Sequence, residues 1–285
     1  MRWKFKWRVR IPNKMNNLVN ISWFGKHFGE EPPLVGKRGA GTIFFTGCNL
    51  RCLYCQNYQI SHGLVKGKDY NLTELANIML DLQRQGALNI DLVTPTVWFK
   101  QIKEAHLLAK ERGLVIPIVW NSNGYDDLKI LKEVEGLVDI YLPDFKYGDS
   151  ELAFKYSGVR NYVEIAKESI KEMLRQVGNL EMNQDGSAKK GVIVRHLILP
   201  NNLENSFRVL DIIKEIDKNI HINLMSQYEP VYKAKDFPEI NRPITKKEFE
   251  KVFDYLTGLG LENGWVQEIE SHNDLLPDFN KENPF

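Results

Sequence analysis

Cysteine is scarce in this chain: three residues in 285, all of them inside Cys48–Cys55. An odd, tightly clustered set cannot build an intrachain disulfide framework, which excludes a small secreted disulfide scaffold and points to a reducing compartment. Long apolar runs are missing as well. Leu114–Trp120 is representative of the longest, far short of the ~20 residues needed to span a bilayer. The N-terminus is basic, but no apolar segment follows it, so no secretory leader is expected. Neither sign of charge dominates: 38 Lys and Arg face 37 Asp and Glu, a formal net charge of +1. That balance argues against a whole-surface preference for nucleic acid or anionic lipid. What is there, 43% hydrophobic and 26% charged residues, is the composition of a globular protein. The length suits a single α/β barrel. A compact, soluble, cytoplasmic protein is expected, with no membrane partner.

Residues 1–11, MRWKFKWRVRI, alternate strictly, with Arg2, Lys4, Lys6, Arg8 and Arg10 on one parity and Trp3, Phe5, Trp7, Val9 and Ile11 on the other. Period two predicts a strand with one buried face. Its Lys/Arg row reads as an edge strand guarded against pairing, or as a basic, aromatic strip for an acidic partner. A Pro/Gly-rich connector, Glu30–Gly41, follows, and residues 1–40 are taken as an N-terminal extension. From Gly41 onward short β-rich runs alternate with helical patterns. The runs are Thr42–Thr46, Leu88–Val93, Val115–Trp120, Leu137–Leu142, Val192–Leu199 and His221–Met225. The helical stretches are Leu72–Gln85, Thr96–Arg112, Asp126–Glu135, Tyr162–Val177 and Glu204–Ile216. Asn71 with Glu74, and Thr245 with Glu248, have the spacing of capping boxes. Strands separated by helices imply a parallel sheet. The expected architecture is an α/β, six-stranded (β/α) partial TIM-like barrel over residues 41–270, with Gly264–Glu270 as a further strand and 271–285 as a tail. A doubly wound open sheet has the same periodicity and stays open as the competitor. In either case the first strand delivers the cysteines to the C-terminal end of the sheet, where α/β proteins place their chemistry.

Three thiols spaced C-x3-C-x2-C can reach one metal centre. Zinc would need a fourth ligand, for which His62 or His27 is available. A 4Fe–4S cube normally takes four thiolates, so three leave one iron with an open position where a small molecule can bind. The loop Thr46-Gly47 before Cys48 and Asn49 after it is polar, and a second C-x2-C pair typical of a zinc ribbon is absent from the sequence. Both features favour iron.

C-x3-C-x2-C with an aromatic, Tyr54, before the third cysteine resembles the radical S-adenosylmethionine (SAM) superfamily. The stretches GEEPPLVGKRGAGTIFFTGCNLRCLYCQNYQIS, IVWNSNGY, YLPDFKYGD, VRHLILP and SQYEPVYKA resemble its pyruvate formate-lyase activating enzyme-related group, and together they cover most of residues 29–260. The resemblance implies that Cys48, Cys52 and Cys55 hold a 4Fe–4S cluster and that SAM chelates its fourth iron through the methionine amine and carboxylate. Tyr54 would lie near the adenine. It further implies reductive cleavage of SAM to methionine and a 5′-deoxyadenosyl radical that abstracts hydrogen, chemistry the cofactor carries while the protein binds, orients and shields it. The chain departs from the group at its start, where relatives often carry additional cysteines.

Other contacts follow from the same likeness. Many relatives place Gly-Gly-Glu after the second barrel strand to meet the SAM amine. Here Val93-Thr94-Pro95-Thr96 stands instead, so Thr94 offers a hydroxyl and a carbonyl but no carboxylate; the same residues also read as an ordinary strand-to-helix turn. Asn121-Ser122-Asn123-Gly124-Tyr125 is polar at a strand end, and Asn121 and Asn123 are candidates for ribose or cluster-proximal contacts, or for a helix cap. Alternation sends Asp144 and Lys146 to one side. They resemble the activating enzymes' Asp-x-Lys element beside the SAM methionine, or form a rim ion pair. Arg195 aligns with the arginine that meets the SAM carboxylate, while His196 points to the opposite face and reads as a packed residue. Gln227 to Pro243 form a long loop, a lid or a surface connection.

Hydrogen abstraction from another macromolecule, including installation of a glycyl radical on a partner enzyme, is the leading expectation. A small-molecule substrate and a zinc-stabilised binding protein are the alternatives. With no second cysteine cluster in the sequence, the electron must come from an external one-electron donor such as a flavodoxin or ferredoxin.

Overall fold

The computed structural model describes residues 17–266 and 276–285. The alternating segment 1–11 lies outside the described residues, as does the expected strand beyond Val266. Strand β1 (Leu18–His27) precedes a short helix α1 (Pro32–Val35) and strand β2 (Ala40–Phe45). Next come α2 (Tyr58–Ser61), β3 (Lys68–Asn71), α3 (Leu72–Arg84), β4 (Ile90–Val93), α4 (Phe99–Glu111), β5 (Ile118–Ser122), α5 (Leu128–Glu133) and β6 (Ile140–Pro143). The remainder is α6 (Ser150–Ser157), α7 (Tyr162–Val177), β7 (Glu181–Met182), β8 (Ala188–Leu197), α8 (Leu203–Ile216), β9 (His221–Met225), α9 (Lys246–Gly258) and β10 (Gly264–Val266).

Helix boundaries have local causes. At α3 the Glu74 N–H donates to Asn71 Oδ1 and the Asn71 N–H donates to Glu74 Oε2, a reciprocal cap that satisfies two otherwise unpaired donors. Thr245 and Glu248 start α9 in the same way. Helix α7 buries Tyr162, Ala166, Ser169, Ile170 and Met173, one face at helical spacing, and stops at Gly178, whose φ of 74° an L side chain resists.

The sheet order is β10-β9-β8-β6-β5-β4-β2-β1-β3, with β7 paired to β8. From β2 through β10 the path follows chain order and every neighbouring pair is parallel. A doubly wound sheet must reverse direction at a switch point. None occurs among the described residues, which decides for the unclosed partial barrel. The six expected strands are β2, β4, β5, β6, β8 and β9. Their ends differ by a few residues from the sequence expectation; Asn121 and Ser122, read as a turn, are the last residues of β5. Strand β1 pairs antiparallel with both β2 and β3, so part of residues 1–40 shares the sheet.

Period two separates the two faces of the strands. Ile43, Phe45, Leu92, Trp120, Tyr141, Val192 and Val194 pack with the helices. Val119, Ile140, Leu142 and Ile193 face the other way and close around Leu34 of α1, toward the strands' N-terminal ends. The Leu34 carbonyl also accepts from Asn89 Nδ2 at 2.8 Å. The opposite, C-terminal strand ends surround a cavity. Among the described residues no helix is long and apolar enough to cross a membrane.

Candidate active site

Cys48, Cys52 and Cys55 sit on the loop between β2 and α2 and line the cavity at the strand ends. The loop is tied down from several sides. Gly47 turns the chain at φ 81°, Trp98 Nε1 donates to Thr46 O at 2.8 Å, and Leu53 N donates to Tyr156 O at 2.8 Å. Asn123 Nδ2 donates to Asn49 Oδ1 at 2.7 Å, and Asn49 Nδ2 donates to Tyr125 O at 2.6 Å. From the far side, Lys233 N donates to Leu53 O at 3.0 Å, and Tyr232 stacks on Tyr58. The long loop after β9 is therefore packed on the cysteine loop.

Each thiol has a polar neighbour suited to a thiolate. Leu50 N and Asn123 Nδ2 donate to Cys48 Sγ at 3.4 and 3.2 Å. Ser157 Oγ donates to Cys52 Sγ at 3.0 Å, and Cys55 Sγ lies 3.2 Å from Ser61 Oγ. Burial, reinforced by the neighbouring thiols, nonetheless pushes Cys48 up to about 11 and Cys55 up to about 12. The polypeptide alone thus holds its thiols protonated, and a bound cationic centre is what would deprotonate them. Among the described residues no three His, Cys, Asp or Glu converge on a single-ion site. His62, the proposed fourth zinc ligand, instead has Nε2 at 3.2 Å from Cys52 O, and His27 packs against Phe44 and Phe285. Three thiols on one loop, each with a polar partner, suit the larger 4Fe–4S cube.

Tyr54 is buried and its hydroxyl donates to Tyr147 at 2.8 Å; Tyr147 lies 2.6 Å from Ser157 Oγ. These links run from Tyr54 to Cys52. Thr94 lines the cavity in the left-handed region at φ 60°, a conformation that costs a β-branched residue energy and clusters at functional sites. Asn123 reaches Cys48, as above, while Asn121 turns to Arg195. Gly124 has φ 76°, and a Cβ there would meet the Asp144 carbonyl oxygen at 2.1 Å, so the β5 and β6 loops touch only because this residue is glycine.

Asp144 and Lys146 are paired as alternation requires: Nζ donates to Oδ2 at 2.5 Å. Arg195 closes the group, donating from Nε to Asp144 Oδ1 at 2.8 Å, from Nη2 to Asn121 Oδ1 at 2.6 Å and from Nη1 to Glu30 Oε2 at 3.1 Å. Burial acts to raise Asp144, but Arg195 and Lys146 outweigh it and hold the carboxyl below its usual range. His196 faces away. Its Nδ1 lies 2.7 Å from Phe145 O and its Nε2 2.8 Å from Ser206 Oγ, and burial lowers it to about 4, so it is a neutral packed residue.

The structure also brings in residues that the sequence reading missed. Tyr162 Oη lies 2.8 and 2.9 Å from the carbonyls of Asn123 and Asp144 and accepts from Lys146 N at 2.9 Å, fixing two strand-end loops at once. Ser157, Glu30, Glu31 and Asp91 complete the surroundings. Only Glu30 and Glu31 carried a visible signal, as paired acids within a block of family resemblance.

Residues 42–183 match the Radical SAM superfamily. The chain belongs to the radical SAM superfamily. An uncharacterized protein of Methanocaldococcus jannaschii is 37% identical over 238 residues, 80% of this chain and 64% of that protein. The pyruvate formate-lyase-activating enzyme of Clostridium pasteurianum is 26% identical over 245 residues, 78% of this chain and 93% of that enzyme. A second uncharacterized M. jannaschii protein is covered over 62% of its length, so the chain spans under two thirds of these two archaeal relatives. Among solved structures, Streptococcus suis SuiB bound to precursor peptide SuiA superposes with a TM-score of 0.55 at 17% identity, over 78% of this chain and 47% of that one. The FeFe-hydrogenase maturase HydG from Carboxydothermus hydrogenoformans gives 0.52 at 14% identity, over 77% and 50%. Both likenesses concern the fold. The superfamily's cofactors are a 4Fe–4S cluster and SAM, and the thiols and cavity of this radical SAM chain fit them.

Proposed function

We propose that this radical SAM protein cleaves SAM reductively and takes a hydrogen atom from a protein or peptide, with activation of a glycyl-radical enzyme as the specific form. The observation that carries it is the single cavity shared by Cys48, Cys52 and Cys55 with Asp144, Lys146 and Arg195. When bound at these thiols, a reduced 4Fe–4S cluster would supply the one electron that splits the SAM sulfonium into methionine and a 5′-deoxyadenosyl group able to take the hydrogen.

The chain's own residues do the rest. Cys48, Cys52 and Cys55 hold the irons, and the donors from Leu50, Asn123 and Ser157 withdraw charge from their sulfurs. Asp144 and Lys146 present an ion pair, each 16% exposed, to the charged end of SAM. Thr94, Asn121 and Asn123 line the floor, and Tyr54 closes one wall against water. The likeness to an activating enzyme over most of its length supports a macromolecular substrate. With three cysteines in the chain, all assigned to one cluster, the electron is supplied by an external donor of flavodoxin or ferredoxin type. Anaerobic reconstitution, dithionite reduction and chromatography after adding SAM should reveal 5′-deoxyadenosine, abolished in Cys52→Ala. Protein loaded with iron that yields none contradicts the proposal.

A further inference from the structure

Two acids enter the barrel from outside the repeating strand–helix units. Glu30 and Glu31 immediately precede α1, and Leu34 of that helix is wedged against the inward faces of β5, β6 and β8. Anchoring Leu34 there holds the two glutamates above it, inside the sheet. Glu31, 2% exposed, accepts from Asn223 Nδ2 at 2.8 Å, and its Oε2 has no partner among the described residues. Glu30, 10% exposed, lines the same cavity as the thiols. Asp91 of β4 is fully buried; Asn121 Nδ2 reaches its Oδ2 at 3.5 Å, and Oδ1 has no partner among the described residues.

With Asp144, these make four carboxylates around two cations, Arg195 and Lys146. Burial raises Glu30, Glu31 and Asp91, although Arg195 pulls each of them back. A buried carboxylate without a counter-charge is costly, and one added cation relieves it. The three donating nitrogens of Arg195 are already engaged by Asp144, Glu30 and Asn121. A ligand carboxylate brought to Arg195 would meet two anions there, so the guanidinium reads as the holder of Glu30 and Asp144. The cation best placed for a ligand carboxylate is Lys146, whose charge is felt by the cysteines.

We propose that Glu30 accepts a hydrogen bond from the amino group at the amino-acid end of the bound nucleotide, fulfilling the role of the carboxylate missing from Val93-Thr94-Pro95-Thr96. The inference rests on the SAM reading above. Arg195 and α1 position Glu30, and the excess of acid in the cavity favours a ligand that carries an amine donor and a positive charge.

The test compares two nucleotides that differ only in that amine, S-adenosylhomocysteine and S-adenosyl-4-thiobutyrate, by calorimetry on anaerobically reconstituted protein. Glu30→Gln should weaken S-adenosylhomocysteine by about tenfold or more, the scale of a charged hydrogen bond, and leave S-adenosyl-4-thiobutyrate unchanged. Glu30→Asp should recover part of the loss. Equal weakening of both nucleotides would mean that Glu30 only supports the fold, and unchanged affinity for both would mean that it does not touch the ligand; either result overturns the inference alone. Wild-type protein that binds neither these nucleotides nor SAM overturns the SAM reading as well.

Discussion

At the residue scale the site divides by strand parity. Arg195 and His196 are neighbours on β8, yet one enters the charged cavity and the other is sealed among carbonyl, hydroxyl and helix. His196 is held neutral because burial lowers it from 6.5 to about 4. Protonation therefore costs the folded protein, so the stability owed to this residue is full above about 6.5 and is lost as pH falls through about 4. His62 and His106 are lowered to about 4 as well, largely by burial, and burial also lowers His27 and His221, so five histidines share this acid limb. His196→Gln is expected to lower stability at neutral pH but to flatten the loss between pH 6.5 and 4, read from denaturation midpoints across that range. A limb of unchanged slope would mean that His196 is not titrating there. That Asp144, Lys146, Arg195 and the cysteines would share one cavity was legible because each lies in a block that resembles the family, and alternation sets the side of Asp144 and Lys146. Tyr162, Ser157 and Asp91 were not. Tyr162 reads as the first residue of a helix and Ser157 falls in a stretch given no element at all, and only the packing of α6 and α7 brings their hydroxyls to the strand-end loops.

At the scale of elements, the two capping boxes and the span of α7 were readable because their causes are local. Strand β1 was missed although Val19, Ile21 and Trp23 alternate with Asn20 and Ser22; its partners, β2 and β3, are distant in the chain and polar Lys68–Asn71 gives no strand signal. The role of α1 was hidden for the same reason. Four residues, PPLV, look like a connector, and only the curl of the sheet shows that Leu34 fills its interior. Leu34→Ala leaves a void among Val119, Ile140, Leu142 and Ile193 and should destabilise the protein by about 2–5 kcal/mol in urea denaturation. It should also weaken the hold on Glu30. A cost below about 0.5 kcal/mol would show that α1 does not plug the sheet.

For the molecule as a whole, the monotonic strand order and the helices on one face gather every loop that carries chemistry at one end. The cavity there grades from thiols, through Lys146 and Asp144, to Arg195 and Glu30, an alternation of charge that suits a ligand bearing both an amine and a carboxylate. Curling rather than double winding was not readable from periodicity, since both produce the same alternation of runs; the order from β2 to β10 settles it. The account turns on three cysteines leaving one iron free for SAM. Electron paramagnetic resonance of the reduced, reconstituted protein, recorded before and after adding SAM, tests this most directly. A 4Fe–4S signal that changes on addition is predicted, whereas an unaltered signal, with the fourth iron held by a side chain, would contradict it.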